Sequence, residues 1–66
     1  MNLKVNGENH EHTGDGTVSA LLVELNAKPE HSALTVNGDL VLSKDWGSFK
    51  LSDDDTVEVL TFVGGG

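Results

Sequence analysis

Leu3 and Val5 alternate with Asn2 and Lys4, a period of two that predicts a strand with one face turned inward. Asn6-Gly7 follows, a dipeptide suited to the left-handed backbone of a two-residue hairpin turn. The run from Glu8 to Thr13 is polar throughout and predicts an exposed edge strand, whose charges discourage pairing with other molecules. Gly14-Asp15-Gly16 makes a loop, and Thr17 is placed to cap a helix. Val18, Leu21, Leu22 and Leu25 then recur at i, i+3, i+4 and i+7, one apolar stripe of an amphipathic helix. Asn26 through Pro29 is expected to end it, because proline cannot continue the hydrogen-bond ladder.

A second strand pair is predicted at Leu34 to Val36 and Leu40 to Leu42, joined through Asn37-Gly38-Asp39. Ser43-Lys44-Asp45-Trp46 reads as a short helical turn whose indole closes one end of the core. Asp53-Asp54-Asp55 is a tight polar turn, and Thr56 to Val63 is the last strand. That strand is apolar on both faces apart from Glu58, which places it centrally in the sheet. The order is strand, strand, helix, strand, strand, strand. One main helix packed on a mixed sheet of four to five strands, with first and last strands parallel at its centre, is an α+β domain of β-grasp type over residues 1–63.

The last strand runs straight into Gly64-Gly65-Gly66. Glycine admits a backbone to channels too narrow for a Cβ and adopts almost any φ/ψ. At roughly 3.3–3.6 Å per extended residue, such a flexible tail projects the Gly66 carboxylate about 10 Å beyond the domain. This suits an enzyme that modifies the carboxylate; a leftover linker is the plainer alternative. On the same strand, Val57 and Val59 are expected to face the helix, which turns Leu60 and Phe62 outward beside the tail. They then form either an exposed partner-binding patch or a surface covered by an adjoining strand or loop.

Sixty-six residues allow one small core, and the absence of cysteine excludes disulfides. Eleven acidic residues against four basic ones give a net charge of −7, which disfavours nucleic acid and anionic membranes. The same charge favours a partner with a basic docking face. No apolar stretch approaches the roughly 20 residues of a membrane span, so a cytoplasmic protein is expected. His10 and His12 lie on one face of an extended strand, a spacing seen in metal sites. Without a third ligand they read as solvated edge residues. The Asp53–Asp55 run lacks the spaced ligands of a calcium loop, and Gly14-x-Gly16 lacks a nucleotide fingerprint. No triad is evident among the serines and three histidines, so no catalytic residue is expected.

Several blocks together carry a family resemblance. They are Leu3-Lys4-Val5-Asn6-Gly7, the helix opening Thr17-Val18 with Leu21-Leu22, and Val36-Asn37-Gly38-Asp39-Leu40-Val41 followed by Trp46. The last is Leu51 to Val59, running into Val63-Gly64-Gly65-Gly66. In this order and spacing the chain resembles the ubiquitin-like sulfur carriers, most closely the ThiS family of thiamin biosynthesis. It departs from the family pattern at Asp54, where a glycine is usual, and near Leu42 and Lys44, where a proline and an arginine are usual.

The resemblance implies a ubiquitin-like β-grasp fold and a chain that is a cosubstrate, not an enzyme, with no bound cofactor. On the same resemblance, a ThiF/MoeB-like adenylating enzyme is expected to activate the Gly66 carboxylate with ATP. A sulfur donor such as a cysteine desulfurase is then expected to supply the sulfur, and the thiocarboxylate to pass it to thiazole synthase (ThiG-like). A small subunit of molybdopterin synthase, a ubiquitin-like modifier conjugated through Gly66, and an inert β-grasp module are the alternatives.

Overall fold

The computed structural model describes residues 1–62; Val63 and the glycines Gly64, Gly65 and Gly66 lie outside the described residues. Strand β1 (Asn2–Val5) turns through Asn6-Gly7 into β2 (Glu8–Glu11), and the single α-helix α1 spans Val18–Glu24. A 3-10 turn at Pro29–His31 leads into β3 (Ser32–Val36), which turns through Asn37-Gly38 into β4 (Asp39–Leu40). A second 3-10 turn at Ser43–Asp45 precedes β5 (Thr56–Thr61). The sheet order is β2-β1-β5-β3-β4. β1 and β5 are parallel and the other pairs antiparallel. This is the expected β-grasp: first and last strands lie side by side at the centre, and the polar strand β2 lies at an edge.

Both Asn-Gly turns have positive φ at both residues, 51° and 83° at Asn6-Gly7 and 53° and 88° at Asn37-Gly38. This geometry matches the right-handed twist of the strands they join. Thr17 caps α1 as its position predicts, its Oγ1 accepting from the Ala20 N–H at 3.1 Å. The helix ends where the expected Asn26–Pro29 segment begins, but asparagine and not proline stops it. Asn26 takes a left-handed conformation (φ 57°), its N–H donates to the Val23 carbonyl, and the Ala27 N–H donates to that of Leu22. This Schellman closure stops the helix three residues before the proline. Pro29 instead opens the following 3-10 turn, where its missing N–H costs nothing.

Helix residues Val18, Leu21 and Leu22 are buried against Leu3 and Val5 of β1, Leu34 and Val36 of β3, and Val57 of β5. Leu25, the fourth member of the stripe, is partly buried at the edge of this cluster. Trp46 closes one end of the core as expected, its Nε1–H donating to the Val41 carbonyl at 2.8 Å. β3 begins at Ser32, two residues earlier than its apolar run. β4 is shorter than predicted because Val41 turns inward into the core.

The acidic turn before β5 has a distinct task for each residue. The Asp53 carboxylate accepts the Asn2 N–H at 2.7 Å, and the Asp55 carboxylate accepts the Ser52 N–H at 2.8 Å. Asp54 instead supplies the reversal, at φ 71°. A side chain at such φ is strained where glycine is not. Replacing Asp54 by glycine is therefore expected to stabilise the domain by about 0.5–1 kcal/mol. Urea denaturation checks this: the midpoint should rise with no change in slope.

Candidate functional site: the last strand and its outer face

β5 is held from both sides by the two turn asparagines. Its parallel ladder to β1 is short, with Lys4 opposite Thr56 and Val5 opposite Val57. Beyond it the Asn6 side chain continues the pairing. Its Oδ1 accepts the Val59 N–H at 2.8 Å, and its Nδ2 donates to the Val59 carbonyl at 3.3 Å. On the other side Asn37 Oδ1 accepts the Thr56 N–H at 2.9 Å, and its Nδ2 donates to Asp55 at 2.9 Å. Antiparallel pairing with β3 runs from Val57 to Thr61, and the Phe62 N–H donates to the His31 carbonyl at 2.6 Å. The strand is thus fixed to its last described residue, at the point where the chain continues toward Gly64.

Alternation along this fixed strand sorts its side chains. Val57 is fully buried and Val59 half-buried against the helix side. Leu60 is 62% exposed and Phe62 57% exposed on the opposite side. Of the two alternatives for these residues, the exposed one holds among the described residues, where no strand or loop covers them. Leu40 of β4, also 62% exposed, shares that outer face because it lies opposite Thr35 in the β3–β4 register. Sequence reasoning missed Leu40, since the link between strands 20 residues apart is a matter of register and not of local pattern.

The histidine pair differs from expectation. His10 and His12 do share a direction, but His12 is buried (3% exposed) and is no solvated edge residue. Glu24, at the end of α1, gathers the segment. Its Oε1 meets His10 Nε2 at 2.9 Å and His12 Nδ1 at 2.8 Å, and its Oε2 accepts from the Thr13 N–H and hydroxyl at 2.7 and 2.9 Å. The Gly16 N–H donates to His12 Nε2 at 3.0 Å, so that nitrogen carries no proton and Nδ1–H donates to Glu24. A Cβ on Gly14 would stand 2.8 Å from the His12 ring, which explains a glycine at a position without positive φ. Among the described residues no group of three or more His, Cys, Asp or Glu is arranged to hold a metal. The cluster is a strut between β2, the 13–16 loop and the helix.

Partial burial alone would raise the Glu24 pKa, but the hydrogen bonds from His10, His12 and Thr13 outweigh it and hold the carboxyl well below its usual 4.5. A depressed folded-state pKa stabilises above the unfolded value, and that contribution is lost as pH falls below about 4.5. Glu24→Gln is therefore expected to cost about 1–3 kcal/mol at neutral pH, chiefly by weakening the bonds to buried His12 and Thr13. It should also flatten the acid limb of the stability–pH curve. Denaturant titrations of both proteins between pH 3 and 7 check the sign, and ring nitrogen NMR shifts should show the His12 Nδ1–H tautomer.

Among the described residues, a single helix across a five-stranded sheet, with β5 at the centre and the opposite sheet face uncovered, defines a ubiquitin-like β-grasp domain. The ThiS family model matches residues 3–66, and the chain belongs to that family. The crystal structure of the thiamine biosynthesis protein ThiS from Geobacter metallireducens is 35% identical, each chain fully covered, with a TM-score of 0.81. A solution structure of a thiamine biosynthesis protein from the same organism is also 35% identical. It matches all of this chain and 88% of its own, at a TM-score of 0.78. Among curated proteins, thiazole synthases of Magnetococcus marinus and Paramagnetospirillum magneticum are 36% and 33% identical over 66 residues. The chain spans only 20% of the length of each. Among the described residues no helix is long and apolar enough to cross a membrane.

Proposed function

We propose that this chain is a sulfur carrier of thiamin biosynthesis, acted on by other proteins and not itself a catalyst. The observation that carries the reading is the family match, which runs through the fold and the glycines to residue 66. A carboxylate with a reference pKa of about 3.3–3.7 is an anion at neutral pH and a poor electrophile. An adenylating enzyme of the ThiF/MoeB type joins the Gly66 carboxylate to AMP and releases pyrophosphate from ATP. The terminal sulfur of a persulfide on a donor such as a cysteine desulfurase then attacks the adenylate and displaces AMP. A thiol reduces the resulting acyl disulfide, leaving the thiocarboxylate and a disulfide between that thiol and the donor cysteine. Gly64 and Gly65 thread the carboxylate into each active site. Thiazole synthase is the acceptor, a role supported by the two relatives of that name whose longer chains include a matching segment. Leu60 and Phe62 form the surface that docks on these enzymes.

The direct test is incubation with a ThiF-type enzyme, ATP and a sulfur donor, followed by intact mass. The expected product carries sulfur in place of one oxygen. A ladder of larger conjugates would mean a protein modifier, and an unchanged mass an inert module. Sulfur delivery to molybdopterin instead of the thiazole would place the carrier in the other pathway. Deleting Gly66 should abolish the mass change while leaving the unfolding midpoint unaltered.

Docking has its own test. Leu60→Asp and Phe62→Asp should each weaken binding to the adenylating enzyme about ten-fold or more, the scale of one buried apolar side chain. Because both side chains are largely exposed, denaturation midpoints should hardly move. A loss of fold with no separate loss of binding would remove these residues from the docking surface.

A further inference from the structure

The outer sheet face holds a small groove whose chemistry is more specific than an apolar patch. It encloses about 150 Å³ and is lined by Ala33, Leu34, Thr35, Leu40, Glu58 and Leu60. The register makes it: Thr35 lies opposite Leu40 on one side and Glu58 on the other, and Ala33 lies opposite Leu60. Side chains so paired point to one face and stand within contact range. Leu40 and Leu60 are exposed walls. Between them the Thr35 hydroxyl is shielded from solvent and has no hydrogen-bond partner among the described residues. An unpaired, desolvated hydroxyl costs stability unless a ligand completes it. Beside it Glu58 is exposed and, among the described residues, makes no ion pair.

Aliphatic walls, an orphan hydroxyl and a free carboxylate together fit a side chain that is apolar along its stem and cationic at its tip. We propose that this groove receives one arginine side chain of a partner protein. Its methylenes lie between Leu40 and Leu60, whose exposed side chains rotate apart to uncover Thr35 Oγ1, and its guanidinium donates to Glu58 and to that oxygen. Arginine fits better than lysine because its planar fork offers five donors and can serve both acceptors at once. The net charge of −7 favours approach of a basic surface in the first place. The inference deepens the docking surface proposed above, and it rests on that reading only for which protein supplies the arginine.

The test uses N-acetyl-argininamide as probe, with the leucine and lysine analogues as comparators, followed by NMR of the full chain. Arginine-probe shifts should converge on Thr35, Leu40, Glu58 and Leu60, and the comparators should bind more weakly. Glu58→Gln should weaken the arginine probe about three-fold, the size of an exposed ion pair. Thr35→Val should weaken it too, while raising the melting temperature, because it removes the unpaired hydroxyl. Equal or tighter binding of the leucine probe would show a merely apolar groove and overturn the proposal. So would shifts scattered over other carboxylates, no binding of any probe, or a Thr35→Val variant of unchanged affinity. If adenylation proceeds and Leu60→Asp blocks it while the arginine probe fails, the docking reading stands and the arginine site falls. Probe binding without any adenylation has the opposite meaning.

Discussion

The domain depends on the seating of β5, a strand with little continuous partner on one side. Two residues of parallel pairing to β1 are too few to hold a central strand, and the Asn6 amide supplies the missing pair of bonds to Val59. Asn37 does the corresponding work at the start of the strand, on Thr56 and Asp55. Each asparagine therefore has two jobs: it takes the left-handed turn conformation and reaches across to β5. Every side chain on the strand inherits its position from these contacts, from the buried Val57 to the outward Leu60 and Phe62.

Periodicity made most of the fold legible before any coordinate. The alternation at Leu3 and Val5, the stripe from Val18 to Leu25 and the Asn-Gly turns each fixed one element through a local constraint. The parts that were not legible are those that join residues distant in sequence. His12 sits in a polar run and reads as exposed, yet Glu24, twelve residues later, draws it into the interior. Within the expected terminator Asn26–Pro29 it is the left-handed Asn26, not the proline, that ends the helix. At the candidate site, Leu60 and Phe62 followed from alternation alone. Glu58 follows from the same alternation, whereas Leu40 and Thr35 join that face only through the strand register.

The two faces of the sheet are unequal partners in stability. One is covered by α1 and carries nearly all the buried apolar side chains; the other carries Thr35, Glu58 and exposed leucines. In a chain without cysteine, the core on the covered face, closed by Val41, Trp46 and Leu51, is the main apolar burial among the described residues. The strut of Glu24 to His10, His12 and Thr13 has a corresponding value. It ties the polar β2 segment, which buries few apolar groups of its own, to the well-packed helix.

Domains are ordinarily built from at least two layers, and here the sheet has a second layer on one side only. A protein that seats on the bare face becomes, for as long as it stays, the third layer of the sandwich. Whatever binds the folded chain and not the unfolded one adds to its stability in proportion to the logarithm of its concentration. Any protein seated on the uncovered face would thus share in this domain's resistance to unfolding and proteolysis. Alone the domain draws on half a sheet, and in complex it draws on both halves.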